Sequence, residues 1–429
     1  MFESRRVRAA LGSLPPIGLA IIAGMAAFCT YACMYAFRKP FSVATFSDSP
    51  SLYGLDFKSV IYISQVVGYA LSKFLGIKFV SEAKAGGRAK MILGLIFCSE
   101  IALLLFASVE ASWRYVFLFF NGLPLGMIWG LVFSYLEGRR FTEIMGLILC
   151  GSFTFASAIV KDVGKRLLNN GVTEFWMPFA TGLCFAIPLV IFVWLLEQIP
   201  PPSDDDREHR TDRVPMRYHD RFQIFARFAL GIIALTAVYT LLTAYRDFRD
   251  TFMQDIIDNI RNTRNSDFSF SYIETWVAVS VLCCLLPIAW IKNNLTAFVV
   301  NHLFIIGGFI AAGVAVILFQ QEVISDVTLM IMTGFATYIA YIPFNCILFE
   351  RLIAVFRQPS NVGFFIYVAD AFGYCGSIAI LVYKNFGAKN LSWLEFFYGF
   401  SFAIAFVGGI GTVGSLIYFL IKYRTQVKT

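Results

Sequence analysis

The sequence predicts an all-α membrane protein with twelve transmembrane helices arranged as two six-helix halves, and three observations predict it. The first is composition: 58% of the 429 residues are hydrophobic and 15% are charged, with a mean hydropathy of +0.70. Soluble chains hold about 45–50% apolar and about 25% charged residues, and a water-soluble fold of this length could not hide the difference, whereas lipid can solvate it. The second is segmentation, because the apolar residues fall into runs of about 20, the length that crosses a bilayer core. The third is a single long polar break near the middle of the chain, which divides the runs equally.

The runs in the first half are 16–37, 58–80, 91–108, 114–136, 144–163 and 176–197. Those in the second are 223–246, 271–291, 296–319, 326–349, 362–384 and 393–421. The first run is longer than the apolar core of a signal peptide and is read as an uncleaved span. Between the sets lies 198–221, which opens with Pro200, Pro201 and Pro202. Proline lacks an amide donor and fixes φ, so these residues end the sixth span. The charge that follows makes the stretch a solvated linker. The domains are therefore 1–197, the linker 198–221, and 222–429.

The net charge of +7 does not point to nucleic acid, because the basic residues cluster in short segments between apolar runs. Arg5, Arg6 and Arg8 precede the first span; Lys84, Arg88 and Lys90 follow the second; Arg139 and Arg140 follow the fourth. The linker holds Arg207, Arg210, Arg213, Arg217 and Arg221, and Lys422, Arg424 and Lys428 close the chain. All fall on one side of the bilayer, which predicts that both termini and the linker are cytoplasmic, in a plasma or bacterial inner membrane. Two segments run against this bias: Lys161, Lys165 and Arg166, and Arg246, Arg249, Arg261 and Arg264. The mixed-charge stretch 247–270 is read as a long outer connection with room for a short amphipathic helix near 250–262.

Catalytic and metal chemistry are not expected. The nine cysteines all lie inside apolar runs and read as small packing residues. Cys29 and Cys33 stand one turn apart with nothing nearby to complete a metal site. The sequence offers no Ser-His-Asp set, no histidine-rich cluster and no nucleotide loop, and Ala85-Gly86-Gly87-Arg88 reads as a turn. A non-enzyme without cofactor or metal is expected.

The halves repeat one another. The first span ends Tyr31-Ala-Cys-Met-Tyr35-Ala36-Phe37-Arg38, and the seventh ends Tyr239-Thr-Leu-Leu-Thr243-Ala244-Tyr245-Arg246. The fourth ends Leu136-Glu137-Gly138-Arg139, and the tenth ends Phe349-Glu350-Arg351. Parallel six-helix halves are the plan of the major facilitator superfamily.

An ionisable side chain inside a span costs about 2.5 kcal/mol or more unless it faces a cavity or a partner. Arg38 and Lys39 close the first span, Lys73 lies deep in the second, and Arg246 and Arg249 end the seventh. Long cations near helix ends can also snorkel to the interface, a reading that fits Lys73 least. Arginines at matching positions of spans one and seven, with a third cation on span two, favour a cavity lined by positive charge. Arginine meets an oxyanion with a planar fork of donors and lysine adds a compact charge. Arg38, Arg246, Lys73 and Arg249 are thus candidate ligands of a small organic anion, phosphate being the leading case. Tyr31, Tyr35, Tyr239 and Tyr245 are candidate linings, each with an apolar face and one hydroxyl; belts and packing are the competing use of tyrosine. Asp370 is a candidate for charge pairing or proton coupling. Glu100 is given no role.

At these residues a family resemblance emerges. Arg38-Lys39-Pro40-Phe41 resembles the first-helix motif of the organophosphate:phosphate antiporter family. Gly68-Tyr-Ala-Leu-Ser-Lys73-Phe74 is similar to its second helix, Val80-Ser-Glu82 to the loop entry that follows, and Gly122-Leu-Pro-Leu-Gly126-Met127 to its fourth helix. Tyr245-Arg246 to Phe252 and Phe372-Gly-Tyr-Cys-Gly-Ser377 resemble its seventh and eleventh helices. The resemblance implies a transporter in which Arg38 and Arg246 bind a substrate phosphate and Lys73 assists. The family's histidine on helix five has no counterpart in Gly151-Ser-Phe-Thr154. The function expected is secondary active transport of a small organic anion by a monomer in lipid. A proton-coupled symporter or exporter of another solute class and a non-transporting membrane sensor are the alternatives.

Overall fold

The computed structural model describes residues 4–82, 87–136, 139, 141–203, 206, 218–263, 266–356 and 362–428. Lys84, Glu137, Gly138, Arg140, Arg264 and the linker residues Arg207, Arg210, Arg213 and Arg217 lie outside the described residues.

Twelve transmembrane helices form. Those of the first half are α1 (Pro16–Tyr35), α2 (Phe57–Glu82), α3 (Arg88–Ser108), α4 (Arg114–Phe133), α5 (Thr142–Asn169) and α6 (Met177–Glu197). Those of the second are α7 (Tyr218–Arg261), α8 (Phe270–Leu285), α9 (Asn294–Gln320), α10 (Asp326–Cys346), α11 (Val362–Val382) and α12 (Trp393–Gln426). Among the described residues, 10 of these helices are long and apolar enough to cross a membrane by length and composition. The more polar α2 and α11, of 26 and 21 residues, complete the set.

Contacts divide the chain into two compact units, Met1–Asp212 with Phe268–Ser271, and Arg213–Asp267 with Tyr272–Thr429. In the first, α1 packs on α5 and α6, and α3 on α4 and α6. In the second, α7 packs on α11 and α12, and α9 on α10 and α12. Each of these pairs recurs six helices later, so the repeat seen in the sequence is also a repeat of packing.

Close approach of α2 and α4 depends on two glycines. A Cβ on Gly122 would stand 2.1 Å from the Gln65 carbonyl oxygen, and one on Gly68 2.3 Å from that of Phe119. In lipid, where no hydrophobic force pairs helices, small residues let backbones meet and van der Waals contact replace it. A short helix ahead of α1, Arg5–Gly12, is tied to the end of α6. Arg8 Nη2 donates to the Glu197 carbonyl at 2.8 Å, and the Ser4 amide to Gln198 Oε1 at 2.7 Å.

The ends of α1 and α7, alike in sequence, differ in structure. Helix α1 tightens into i→i−3 bonds (Ala36 to Cys33, Phe37 to Met34, Arg38 to Tyr35) and passes into a 3₁₀ turn at Pro40–Val43. Pro40 explains this, since it has no amide to continue the ladder and restricts the residue before it. Helix α7 instead runs through Arg246 to Arg261, with one local departure in this stretch, at Phe252 (φ −105°, ψ 15°). Helical backbone thus continues past the expected end at residue 246, and beyond the kink at Phe252 it forms a short helix where one was expected near 250–262. Residues 247–261 hold neither proline nor glycine. Their mixed charge suggested solvent, yet Asp247, Arg249, Asp250 and Asp258 are buried together with Phe248, Phe252, Met253, Ile256 and Ile257. Trp393 of α12 stacks on Phe252 at 4.0 Å between centroids and secures this extension.

Candidate functional site

In the first unit, Arg38 and Lys73 converge on one aromatic ring. The Arg38 guanidinium carbon lies 3.8 Å from the centroid of Tyr69, and Lys73 Nζ lies 5.4 Å from it and 5.8 Å from that of Trp129. Both cations are buried, Arg38 at 5% exposure and Lys73 at 3%. A cation held on the π face of tyrosine or tryptophan is stabilised without its charge being cancelled. The ring covers the flat face of the guanidinium, whereas an oxyanion binds its N–H edge.

The backbone that carries Arg38 is braced from two other helices. Asn121 Nδ2 donates to the Phe37 carbonyl at 2.9 Å, and Gln65 Nε2 to the Arg38 carbonyl at 3.1 Å. The amides join one another, Gln65 Nε2 to Asn121 Oδ1 at 2.6 Å, and Asn121 Nδ2 also reaches Ser99 Oγ at 2.6 Å. The last carbonyls of a helix have no partner within it, and in lipid an unsatisfied carbonyl is costly. Two helices thus supply the amides that satisfy the last carbonyls of α1, and Ser99 of α3 holds one of those amides. Tyr31 and Tyr35 meet edge to face at 5.5 Å, and Tyr31 meets Phe153 of α5 at 6.0 Å.

In the second unit, α7 presents Tyr239, Arg246 and Asp247. Arg246 lies over the Tyr341 ring of α10, with its guanidinium carbon 4.2 Å from the centroid, an arrangement that matches Arg38 on Tyr69. Its Nε and Nη2 donate to Asp247 Oδ1 at 3.1 and 2.7 Å, and Ser377 Oγ of α11 donates to Asp247 Oδ2 at 2.9 Å. Tyr239 Oη donates to Asp370 Oδ1 at 2.5 Å and lies 2.9 Å from Tyr341 Oη and 3.4 Å from Asn345 Oδ1. Tyr239, Tyr341, Arg246, Asp370 and Asp247 therefore form one buried polar cluster across α7, α10 and α11.

Two sequence-selected residues stand apart from that cluster. Arg249 Nη1 pairs with Glu274 of α8 at 2.8 Å, and its Nη2 donates to the Met330 carbonyl of α10 at 2.6 Å. Tyr245 turns to α12, where its hydroxyl lies 2.8 Å from Ser401 Oγ and its ring stacks on Phe397 at 5.6 Å. Successive helical residues differ by about 100° in direction, and here Tyr245 faces α12 while Arg246 lies over Tyr341 of α10.

Sequence reasoning missed Gln65, Asn121, Asp247 and Ser377. Asp247 lies just past the expected end of span seven at residue 246, in a stretch that reads as an outer connection. The charge beside Arg246 was the available signal. The two amides had none, since a lone Asn or Gln in an apolar run does not say which backbone it braces.

A family model described as "Family of unknown function (DUF5690)" matches residues 40–422. No curated protein matches the sequence. Solved structures do. A transporter of the POT family, in complex with a thioalcohol-conjugated peptide, is 12% identical, with TM-score 0.57 over 96% of this chain and 99% of that one. A D-xylose–proton symporter is 13% identical, with TM-score 0.59 over 93% and 96%. The human organic anion transporter MFSD10 (TETRAN) is 12% identical, with TM-score 0.52 over 94% and 100%. At these identities the likeness is one of fold, and the fold is the twelve-helix major facilitator fold.

Proposed function

The chain belongs to the DUF5690 family, and from the buried cations of its two units we propose that it is a secondary active transporter of a small organic anion, phosphorylated in the leading case. The fold is that of secondary transporters. The observation that carries the anion reading is the pair of buried arginines, Arg38 over Tyr69 and Arg246 over Tyr341, at matching positions of α1 and α7, with Lys73 beside the first. Membrane-buried cations are costly, and an aromatic face offsets part of that cost in each repeat; Arg246 in addition carries Asp247 on its Nε and Nη2.

In this reading Arg38 and Lys73 are the anion ligands of the first unit, with Tyr31 and Tyr35 near them, and Arg246 is the anion ligand of the second, with Tyr239 near it. Arg249 neutralises Glu274 and fixes α7 to α8 and α10, and Tyr245 packs α7 on α12. Substrate binding stabilises an intermediate through which access alternates. The protein acts as a monomer in a plasma or bacterial inner membrane, with both termini and the linker in the cytoplasm. Transport is by exchange, as the antiporter resemblance implies, or by ion coupling. A second reading, proton-coupled symport of an uncharged solute, is motivated by the Tyr239–Asp370 contact.

A thermal-unfolding screen of the purified full chain separates the two. A ligand that binds only the folded state raises the melting temperature by mass action. The anion reading expects stabilisation by phosphate esters or inorganic phosphate and none by neutral sugars. Stabilisation by sugars alone overturns it.

A further inference from the structure

Arg246 already holds an anion. Its Nε and Nη2 both donate to one oxygen of its chain neighbour Asp247, and the other oxygen of that carboxylate accepts from Ser377 Oγ. The pair is deeply buried, with side-chain exposures of 11% for Arg246 and 2% for Asp247. The carboxylate thus occupies one donor edge of the guanidinium, Nε–Nη2, and neutralises its charge.

A second anion reaching Arg246 would place two negative charges against one guanidinium where little water screens them, and charges repel far more strongly there than in bulk solvent. A proton on Asp247 removes the conflict. The carboxylate oxygen takes up one H⁺ and becomes a neutral acid, which can still hydrogen-bond Ser377. Arg246 then turns its N–H edge to the incoming anion. For a singly charged anion, proton and substrate arrive together and the net charge of the buried site does not change.

The surroundings within the second unit agree. The titratable neighbours of Arg246 are Tyr341 of α10, whose ring it covers, and Tyr338 of α10 and Tyr374 of α11. Asp370 of α11 accepts from Tyr239 Oη of α7. Arg249 of α7 is engaged by Glu274 of α8. Asp247 is therefore the carboxylate in direct contact with Arg246, and Asp370 reaches it through Tyr239 and Tyr341.

We propose that Asp247 is a proton-binding site whose protonation releases Arg246 to the substrate anion, which couples anion entry to proton entry; the proposal rests on the anion reading above. The test is binding of sulfate and methanesulfonate to the full-length protein in nanodiscs, read as thermal stabilisation, between about pH 5.5 and about pH 8.5, where neither probe changes charge. Wild-type affinity is expected to fall about tenfold per pH unit on the alkaline side, as linkage of one proton requires. Asp247→Asn is expected to bind with little pH dependence and at least about tenfold more tightly than wild type at the alkaline end. Ser377→Ala, which removes a donor to the carboxylate, is expected to move the wild-type profile to higher pH. Equal pH dependence in wild type and Asp247→Asn overturns the proposal. So does its removal by Asp370→Asn instead, an unmoved Ser377→Ala profile, or a folded Asp247→Asn protein that has lost binding. Binding of neither probe at any pH in either protein sinks the anion reading along with it, whereas pH-independent binding in wild type sinks the proton site alone.

Discussion

Asn121 of α4 donates a 2.9 Å hydrogen bond to the carbonyl of Phe37, so a side chain on the fourth helix completes the end of the first. With Gln65 it fixes the one place where backbone leaves helical geometry just before a candidate ligand. Arg38 is delivered by a polar brace and by Pro40, and Arg246 by helical backbone that continues past it. The two halves reach a similar result, an arginine on a tyrosine face, by different local means.

Removing the brace should cost stability and binding together. Asn121→Leu strands the Phe37 carbonyl and removes one of the two acceptors of Gln65 Nε2, and a buried group left unsatisfied costs about 1–3 kcal/mol. A lowered melting temperature and weaker stabilisation by anions are expected. Unchanged anion affinity in this variant would show that Arg38 does not depend on the brace.

The α2–α4 crossing should not tolerate a side chain at its centre. In Gly122→Ala the added methyl would stand 2.1 Å from the Gln65 carbonyl oxygen, so the helices must part. Loss of more than about 2 kcal/mol is expected, in the range of overpacked cores. Gly94→Ala, where nothing lies within 4 Å of the added carbon, should be neutral. Melting of both proteins in one detergent decides this.

Arg249 should behave as a structural residue. Arg249→Ala leaves Glu274 charged and buried, and breaking a buried pair from one side costs about 3–5 kcal/mol. Replacing both partners, Arg249→Met with Glu274→Met, should recover most of that loss. A folded Arg249→Ala protein as stable as wild type, with anion binding abolished, would return Arg249 to the ligands.

Glu100 of α3 should be a burden on the fold. Its carboxyl fills the space that a Cβ on Gly182 of α6 would take, and among the described residues neither of its oxygens has a hydrogen-bond partner. Glu100→Leu should raise stability by about 1–3 kcal/mol, the penalty of an unsatisfied buried polar group, without loss of transport. A transport defect in this variant would give Glu100 a function.

Much of the fold was legible because lipid imposes a simple rule, about 20 apolar residues per crossing, and the proline-rich break marked the division. The rule fails at α7. Asp247, Arg249, Asp250 and Asp258 look like loop residues in one dimension, whereas the backbone there is helical and their side chains are buried. Arg38, Lys73 and Arg246 stood out because a charge in an apolar run demands an explanation. Their aromatic partners did not, since Tyr69 and Tyr341 are two of 19 tyrosines and spacing alone does not identify which ring a cation covers. Tyr245 was chosen by its place beside Arg246 in the motif, but adjacency in sequence puts it on another face of the helix.

The most direct test of the central claim is uptake of radiolabelled phosphate and glycerol phosphate into proteoliposomes by wild type, Arg38→Ala and Arg246→Ala, each checked for folding by its melting curve. The account expects saturable uptake by wild type and a fall of at least about 30-fold in either variant, the equivalent of losing about 2 kcal/mol of charged hydrogen bonding. Uptake at the wild-type rate by both folded variants would contradict it.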